Sequence, residues 1–270
     1  MLIKGMSEII AEPTAALPAG GGSPVIHSPL DRLIRKFEAD GEPLAPEEKE
    51  AVLRLPVTVK EIRADQDIVR QGDRPKQCCL LIDGFLCRYK MLPDGERQIV
   101  SFHVPGDIPD LQSLFLEKMD HALTSIAPST VAFISHDALN ALLEENFRIA
   151  RILWRETLID AAMFREWVVN TGSRDAYARI AHLLCELFHK LQAVGLVKGT
   201  SFNCPITQTE VADATGLSTV HVNRSVQELR GNRLIEWERG TCTILDLPAL
   251  QDAAMFDPDY LHLARAESLV

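Results

Sequence analysis

Four glycines in the first half of the chain, Gly72, Gly84, Gly95 and Gly106, stand 12, 11 and 11 residues apart, each beside an aspartate at Asp73, Asp83, Asp94 and Asp107. That pairing is turn chemistry: glycine takes left-handed backbone without a steric penalty, and aspartate hydrogen-bonds its own backbone. Short β-type runs lie between the turns: Ile68-Val69, Leu80-Leu81-Ile82, Phe85 to Tyr89 and Ile99 to Val104, with Val131 to Ile134 further on. Turns at this interval between strands of about five residues predict a small antiparallel sandwich or roll. The spacing alone also fits a generic β domain.

The flanks read differently. Residues 1–28 hold Pro13, Pro18, Gly20 to Gly22 and Pro24 with few apolar groups at any period, which predicts a flexible tail. Leu30, Leu33, Ile34 and Phe37 recur at helical spacing, and a second short helix follows Pro46-Glu47-Glu48, so the roll domain is taken as 29–136. After Ser135 or Asp137, either a plausible N-cap, the chain runs to Asn170 without proline or glycine: a short helix, then a long one over 137–171. Ile149, Ile152, Ile159, Met163 and Trp167 form the expected dimerisation seam, widened by Leu153, Phe164 and Val168 and interrupted by Glu156, Glu166 and Asn170. An ordinary buried helix is the plainer reading of the same pattern. Thr171-Gly172-Ser173 is a hinge signal, with Gly172 stopping the long helix and Ser173 or Asp175 capping the next. The second domain is then 172–250, opening on an amphipathic helix from Ala176 to Leu191 and a polar loop to Cys204, and 251–270 is a C-terminal tail.

Residues 207–229 carry the most specific signal. Thr207 caps a helix with Glu210 at the capping-box position, Gly216 permits a tight turn, Leu217 plugs the space between two helices, and Ser218 caps the second. Val222, Val226 and Leu229 make the buried stripe of that second helix, leaving Thr219, Val220, His221, Asn223 and Arg224 at its exposed start. Such an end is what a recognition helix inserts into the major groove.

On these residues the chain resembles the cyclic-AMP receptor and fumarate-nitrate-reduction (Crp/Fnr) family of bacterial transcription regulators. The resemblance covers residues 30–250 and rests on the glycine-punctuated roll, the Val131 to Ser135 strand leading into helices, Arg179-Ile180-Ala181, the helix-turn-helix, and a wing at Leu234 to Trp237 and Thr241 to Leu245 around Arg239-Gly240. It implies an α+β chain: an N-terminal cyclic-nucleotide-binding-like antiparallel β-roll, a long dimerisation helix and a C-terminal winged helix-turn-helix. It further implies a cytoplasmic homodimer on double-stranded DNA with a two-fold operator, with RNA polymerase as a further partner. Carried over by position, Thr207, Gln208, Ser218 and Thr219 touch phosphate backbone, and Val220, His221, Asn223 and Arg224 read bases, Arg224 presenting two donors to a guanine. The family's best-known readers carry glutamate where this chain has Val220, so its operator should differ, with Val220 placed to pack on a thymine methyl.

Taken over the whole chain, composition counts against DNA: 28 Lys+Arg against 38 Asp+Glu give a net charge of -10, and residues 207–236 are not basic either. Non-specific affinity should be weak, with helix N-termini and hydroxyl or amide groups supplying phosphate contacts. Six cysteines and no apolar run of about 18 residues argue for the cytoplasm and against a membrane partner.

For the sensor, cyclic-nucleotide-binding relatives use a glutamate on the ribose and an arginine on the phosphate. Residues 106–123 lack both; Asp110 stands in for the glutamate, and only Lys118 or His121 offers cationic character in a possible effector pocket. The oxygen-sensing branch uses an N-terminal cysteine cluster for iron and sulfur, and nothing before Cys78 is cysteine. His103, His121 and His136 have no metal-ligand spacing, so neither haem, iron–sulfur nor any other cofactor is expected. A degenerate roll is the preferred reading. The alternative is an effector-dependent regulator whose roll binds a cyclic nucleotide or senses redox state through Cys78, Cys79 or Cys87. An enzyme is not expected: Asp175, His182 and Cys185 share one helix, but Cys185 sits among leucines, and no phosphate loop or nucleophile elbow is present.

Overall fold

The computed structural model describes residues 28–264, so the N-terminal tail expected over 1–28 lies outside it but for Ser28. Helices α1 (Asp31–Ala39) and α2 (Pro46–Leu53) precede strands β1 (Val57–Ile62), β2 (Gln66–Val69), β3 (Gln77–Asp83), β4 (Leu86–Met91) and β5 (Arg97–His103). A 3-10 turn at Leu111–Leu114 leads to β6 (Ala122–Ser125) and β7 (Ser129–Ser135), then to helices α3 (His136–Glu145), α4 (Phe147–Ser173) and α5 (Ala176–Ala193). Strands β8 (Val197–Lys198) and β9 (Ser201–Asn203), helices α6 (Gln208–Thr215) and α7 (Thr219–Gly231), strands β10 (Ile235–Glu238) and β11 (Thr241–Ile244), helix α8 (Leu247–Ala254) and a 3-10 turn at Pro258–Leu261 follow.

The roll is two antiparallel sheets, ordered β1-β7-β3 and β2-β6-β4-β5. All four glycines of the repeat have positive φ; at Gly84 a Cβ would also overlap Ser129, whose hydroxyl accepts the Phe85 N–H. β3 is buried along its middle because alternate side chains enter different cores. Cys79 and Leu81 join Leu86, Leu123 and Val131 between the sheets, while Cys78, Leu80 and Ile82 pack outward with α1 and α4 residues. A strand buried on both faces reads as a continuous apolar run rather than an alternating one.

The outer face of the second sheet does not meet solvent. Phe85, Cys87, Ile99 and Phe102 belong to one apolar cluster with Ile180, Leu184 and Leu187 of α5, Val211 of α6 and Val222 of α7. The roll and the C-terminal domain therefore share a core.

Three expectations need correction. Gly172 does not stop the long helix: it is helical, nothing crowds its Cβ position, and α4 continues to Ser173 before Asp175 caps α5 by accepting the Ala178 N–H. The polar loop before Cys204 holds the β8–β9 hairpin, which joins the wing in one sheet ordered β10-β11-β9-β8. The C-terminal tail is bound as far as it is described. Tyr260 donates to Glu186 at 2.8 Å, Arg155 to the His262 carbonyl at 3.0 Å, and the Ala264 N–H to Ala39 of α1 at 2.8 Å.

Candidate nucleic-acid interface

Local chemistry builds the helix-turn-helix. Thr207 Oγ1 accepts the Glu210 N–H at 3.2 Å and Glu210 accepts the Thr207 N–H at 2.7 Å, the reciprocal capping box that starts α6. Gly216 ends α6 in the left-handed region at φ 65°, which a residue with a Cβ rarely adopts. Arg179 of α5 donates to the Thr215 carbonyl at 2.7 Å, satisfying an orphan acceptor at that end. Ser218 then accepts the His221 N–H, and α7 begins.

The polarity of α7 separates cleanly. Val222 and Leu229 are fully buried and Val226 nearly so, whereas Thr219, Val220, His221, Asn223 and Arg224 are exposed, Val220 at 75%. Val220 is thus the one valine of α7 left to solvent, while Val222 and Val226 are buried. Thr207 and Gln208 are exposed on the adjoining start of α6, and Asn223 donates to Gln208 across the two helices at 3.3 Å. The eight residues expected to meet DNA thus occupy one face, with two first-turn N-termini opening onto it.

Arg239 is an addition to that set. It and Gly240 form the wing turn with φ 50° and 75°, and Arg239 is exposed beside a groove lined by Thr207, Gln208, Gln227 and Arg230. The sequence marked the turn; position beside the α6 N-terminus is a tertiary fact. Arg230 is held by Glu238 of the wing at 2.6 Å, which braces the wing against α7.

The residues expected to form a dimerisation seam, Ile149, Ile152, Ile159, Met163 and Trp167, are taken up within their own chain. Ile149, Ile152 and Ile159 are buried within their own chain, Met163 lines an internal cavity, and Trp167 donates to Glu186 at 3.0 Å. The opposite face is the open one. Phe147, Arg151, Trp154, Leu158, Ala161, Arg165 and Val168 follow heptad spacing, with Phe147 77%, Trp154 68%, Leu158 57% and Val168 71% exposed.

Nor do Asp110, Lys118 and His121 form a pocket together. Asp110 is buried, accepts the Cys79 N–H at 2.7 Å, and burial pushes its carboxyl up to about 7. Lys118 is exposed, while His121 is buried against Gln112 and Asp120. A cavity of about 70 Å³ lies instead where α1, the loop after β5, α4 and α5 meet, and none of the three lines it. Its charges are already matched. Arg88 donates to the Pro109 carbonyl at 2.7 Å and pairs with Asp160 at 2.6 Å, and Lys190 and His103 reach Asp107 at 3.2 and 3.3 Å. Burial opposes charge on Asp107, yet Lys190 and the His103 hydrogen bond hold it well below the usual carboxylate range, while burial and Arg88 push His103 down to about 4. Lys36 bridges Asp40 at 2.5 Å and Glu156 at 3.1 Å; burial raises Glu156 to about 7 against the pull of Lys36.

All six cysteines are buried, and burial raises every thiol, Cys87 to about 12. Thiols so placed are poor nucleophiles and poor metal ligands. Cys185 packs in the core with Leu184 and Leu187.

Comparison with known proteins gives the same outline. Residues 178–253 match the Crp-like helix-turn-helix domain, and residues 59–146 match the cyclic nucleotide-binding domain. The transcriptional activator protein FnrA of Stutzerimonas stutzeri is 28% identical over 203 residues, covering 73% of this chain and 81% of that protein. The nitrogen fixation regulation protein FixK of Bradyrhizobium diazoefficiens is 27% identical over 175 residues, covering 64% of this chain and 71% of that protein. In fold, the structure of FixK2 from Bradyrhizobium japonicum superposes with a TM-score of 0.68 at 22% identity, covering 74% of this chain and 98% of that one.

Proposed function

The chain belongs to the Crp/Fnr family of DNA-binding transcription regulators, and on that premise we propose that it acts as a homodimer that reads a two-fold operator with the first turns of its two α7 helices. The observation that carries the reading is the polarity of α7: three apolar side chains anchor it, and five exposed residues are presented together at its N-terminal end. In this reading Arg224 and Asn223 take base edges, and Thr207, Gln208, Ser218, Thr219 and the wing residue Arg239 take phosphates. Pairing comes from the heptad face of α4 that contains Trp154, Leu158 and Val168, because its large apolar side chains, punctuated by Arg151 and Arg165, are exposed.

The roll, in the same proposal, serves as a scaffold without cyclic nucleotide, iron–sulfur or haem. An anionic phosphate needs a positive partner, and the arginine and lysines that line the cavity, Arg88, Lys190 and Lys36, are committed to Asp160, Asp107, Asp40 and Glu156. The redox alternative requires an accessible thiolate at Cys78, Cys79 or Cys87, and burial disfavours one at all three. Relatives named transcriptional activators support RNA polymerase as a further partner. A DNA partner supports a cytoplasmic location. Among the described residues no helix is long and apolar enough to cross a membrane.

Selection of bound DNA from a random pool tests the reading. The expected product is an inverted repeat with half-sites about one helical turn apart, and sedimentation should give a dimer. A pool that stays unenriched, or a monomer at working concentration, overturns it.

A further inference from the structure

A second set of contacts, away from the reading face, ties the helix-turn-helix to the roll along one strand. At the start of β5, Gln98 Nε2 donates to the Asp213 carbonyl at 2.7 Å and reaches that of Ala214 at 3.4 Å. These carbonyls lie in the last turn of α6, where a helix has no N–H donors of its own to offer them. Beside Gln98, Arg97 Nε donates to Asp213 Oδ2 at 2.8 Å. The Arg97 guanidinium stands 5.9 Å over the Tyr89 ring, and the Tyr89 hydroxyl donates to Asp67 of β2 at 3.0 Å. At the far end of the same strand, Lys190 of α5 donates to the Phe102 carbonyl at 2.9 Å and pairs with Asp107 at 3.2 Å. Ile99 and Phe102, in between, lie in the core shared with α5 and α6.

The two polar anchors are four residues apart on β5, about 13 Å along an extended strand. Two anchors on such a lever fix an angle as well as a position. An ångström of slack at the Arg97 end, pivoting about Lys190, turns the domain by about 4° on this lever. Adding one base pair between half-sites moves one of them by about 3.4 Å and rotates it by about 34°. A head held at both ends of β5 cannot follow that change; with the Arg97 end released, only Lys190 and the shared core hold it, and it can tilt toward the change.

We propose that Arg97 and Gln98 are positioning residues for DNA reading: through Asp213 and Ala214 they hold the angle of the helix-turn-helix on the roll, and so fix which separation of half-sites a dimer accepts. The proposal rests on the homodimeric reading given above. It divides specificity between two places, with base identity read by the exposed start of α7 and half-site spacing set at β5, which touches no DNA. Neither Arg97, Gln98 nor Asp213 belongs to the reading face or to the heptad face of α4.

Because all six cysteines are buried, cysteines introduced at the exposed positions Thr58 of β1 and Glu228 of α7 will take spin labels selectively. Labelled chain diluted into unlabelled chain then reports the roll-to-head distance within one protomer. The Arg97→Ala/Gln98→Ala variant is expected to widen that distance distribution about twofold, and to lower the preference for the selected operator over one lengthened by a base pair from about tenfold or more to about threefold or less. Exchanging the ion pair, Arg97→Asp with Asp213→Arg, should restore both to within about twofold. A distribution in Arg97→Ala/Gln98→Ala as narrow as in the unsubstituted protein overturns the proposal, as does a widened one with spacing preference intact. If the unsubstituted protein selects no two-fold site, the homodimeric reading fails and takes the spacing proposal with it, a result the distances distinguish from failure of the clamp alone.

Discussion

The roll and the reading head hold similar polar side chains in opposite circumstances. Arg88, Lys190, His103 and Asp107 are buried, and each has a hydrogen-bonding or charged partner within its own chain. Thr219, His221, Asn223 and Arg224 are exposed on a helix whose other face is dry. A buried charge without a partner is expensive, so these four groups are matched within the chain and have little left for a ligand. Exposed polar groups carry no such debt and keep their capacity for DNA. The two faces of α4 repeat the contrast in apolar form: Ile149, Ile152 and Ile159 are used internally, and Trp154, Leu158 and Val168 are left open.

Breaking the open side should alter association and leave the fold alone. The largest effect is expected from Leu158→Asp, which puts a charge at the centre of the exposed heptad face and should convert dimer to monomer in sedimentation while the circular dichroism spectrum is retained. Dimers persisting at micromolar concentration would return the seam to the buried face. Arg224→Ala should cost about 1–3 kcal/mol of base discrimination at each half-site, roughly fivefold to 150-fold, with the dimer intact. Mobility shifts showing undiminished specificity would remove Arg224 from the reading head.

Breaking the matched side should do the reverse. Ile152→Ala is expected to lower unfolding free energy by about 2–5 kcal/mol in denaturant titration without changing oligomeric state. Glu156→Gln offers a finer test. The folded chain keeps a proton on Glu156 up to about 7, above its ordinary 4.5, so between those values the folded state binds more protons than the unfolded one. Stability from this group is therefore present at acid pH and lost as pH rises through that window, and Glu156→Gln should flatten the fall. An identical slope in the variant would show that Glu156 is ionised throughout. Smallest of all, calorimetry with cyclic AMP should show no micromolar binding, since Arg88 and Lys190 are already paired.

What was legible in the sequence followed local rules. The capping box at Thr207 and Glu210, the left-handed Gly216 and the buried Val222, Val226 and Leu229 are set by residues a few positions apart, and the structure holds them as their spacing predicts. The strands around the four glycines were legible for the same reason, but β1, an edge strand with four exposed residues in a row, gave little pattern. The seam misled because α4 is apolar on two faces. Periodicity detects a stripe without saying whether its partner is the same chain or another, and Ile149, Ile152 and Ile159 form the better-filled of two parallel stripes. Arg88 with Asp160, Lys36 with Glu156 and Arg97 with Asp213 join segments far apart in the chain, which no short motif encodes. Tyr260 and Leu261 have no helical repeat to announce that they will be bound.

The segment that carries Tyr260 has a bearing on the order of assembly. The Ala39 carbonyl, at the end of the first helix, gains its hydrogen bond from Ala264, and Glu186 of α5 gains one from Tyr260. During synthesis the first helix leaves the ribosome long before either partner exists. Contacts between segments so far apart close late, because the intervening chain must be ordered before they bring any return. The N-terminal domain can therefore collapse before these two contacts form, and damage to the final turn of the described chain will be felt at its first helix.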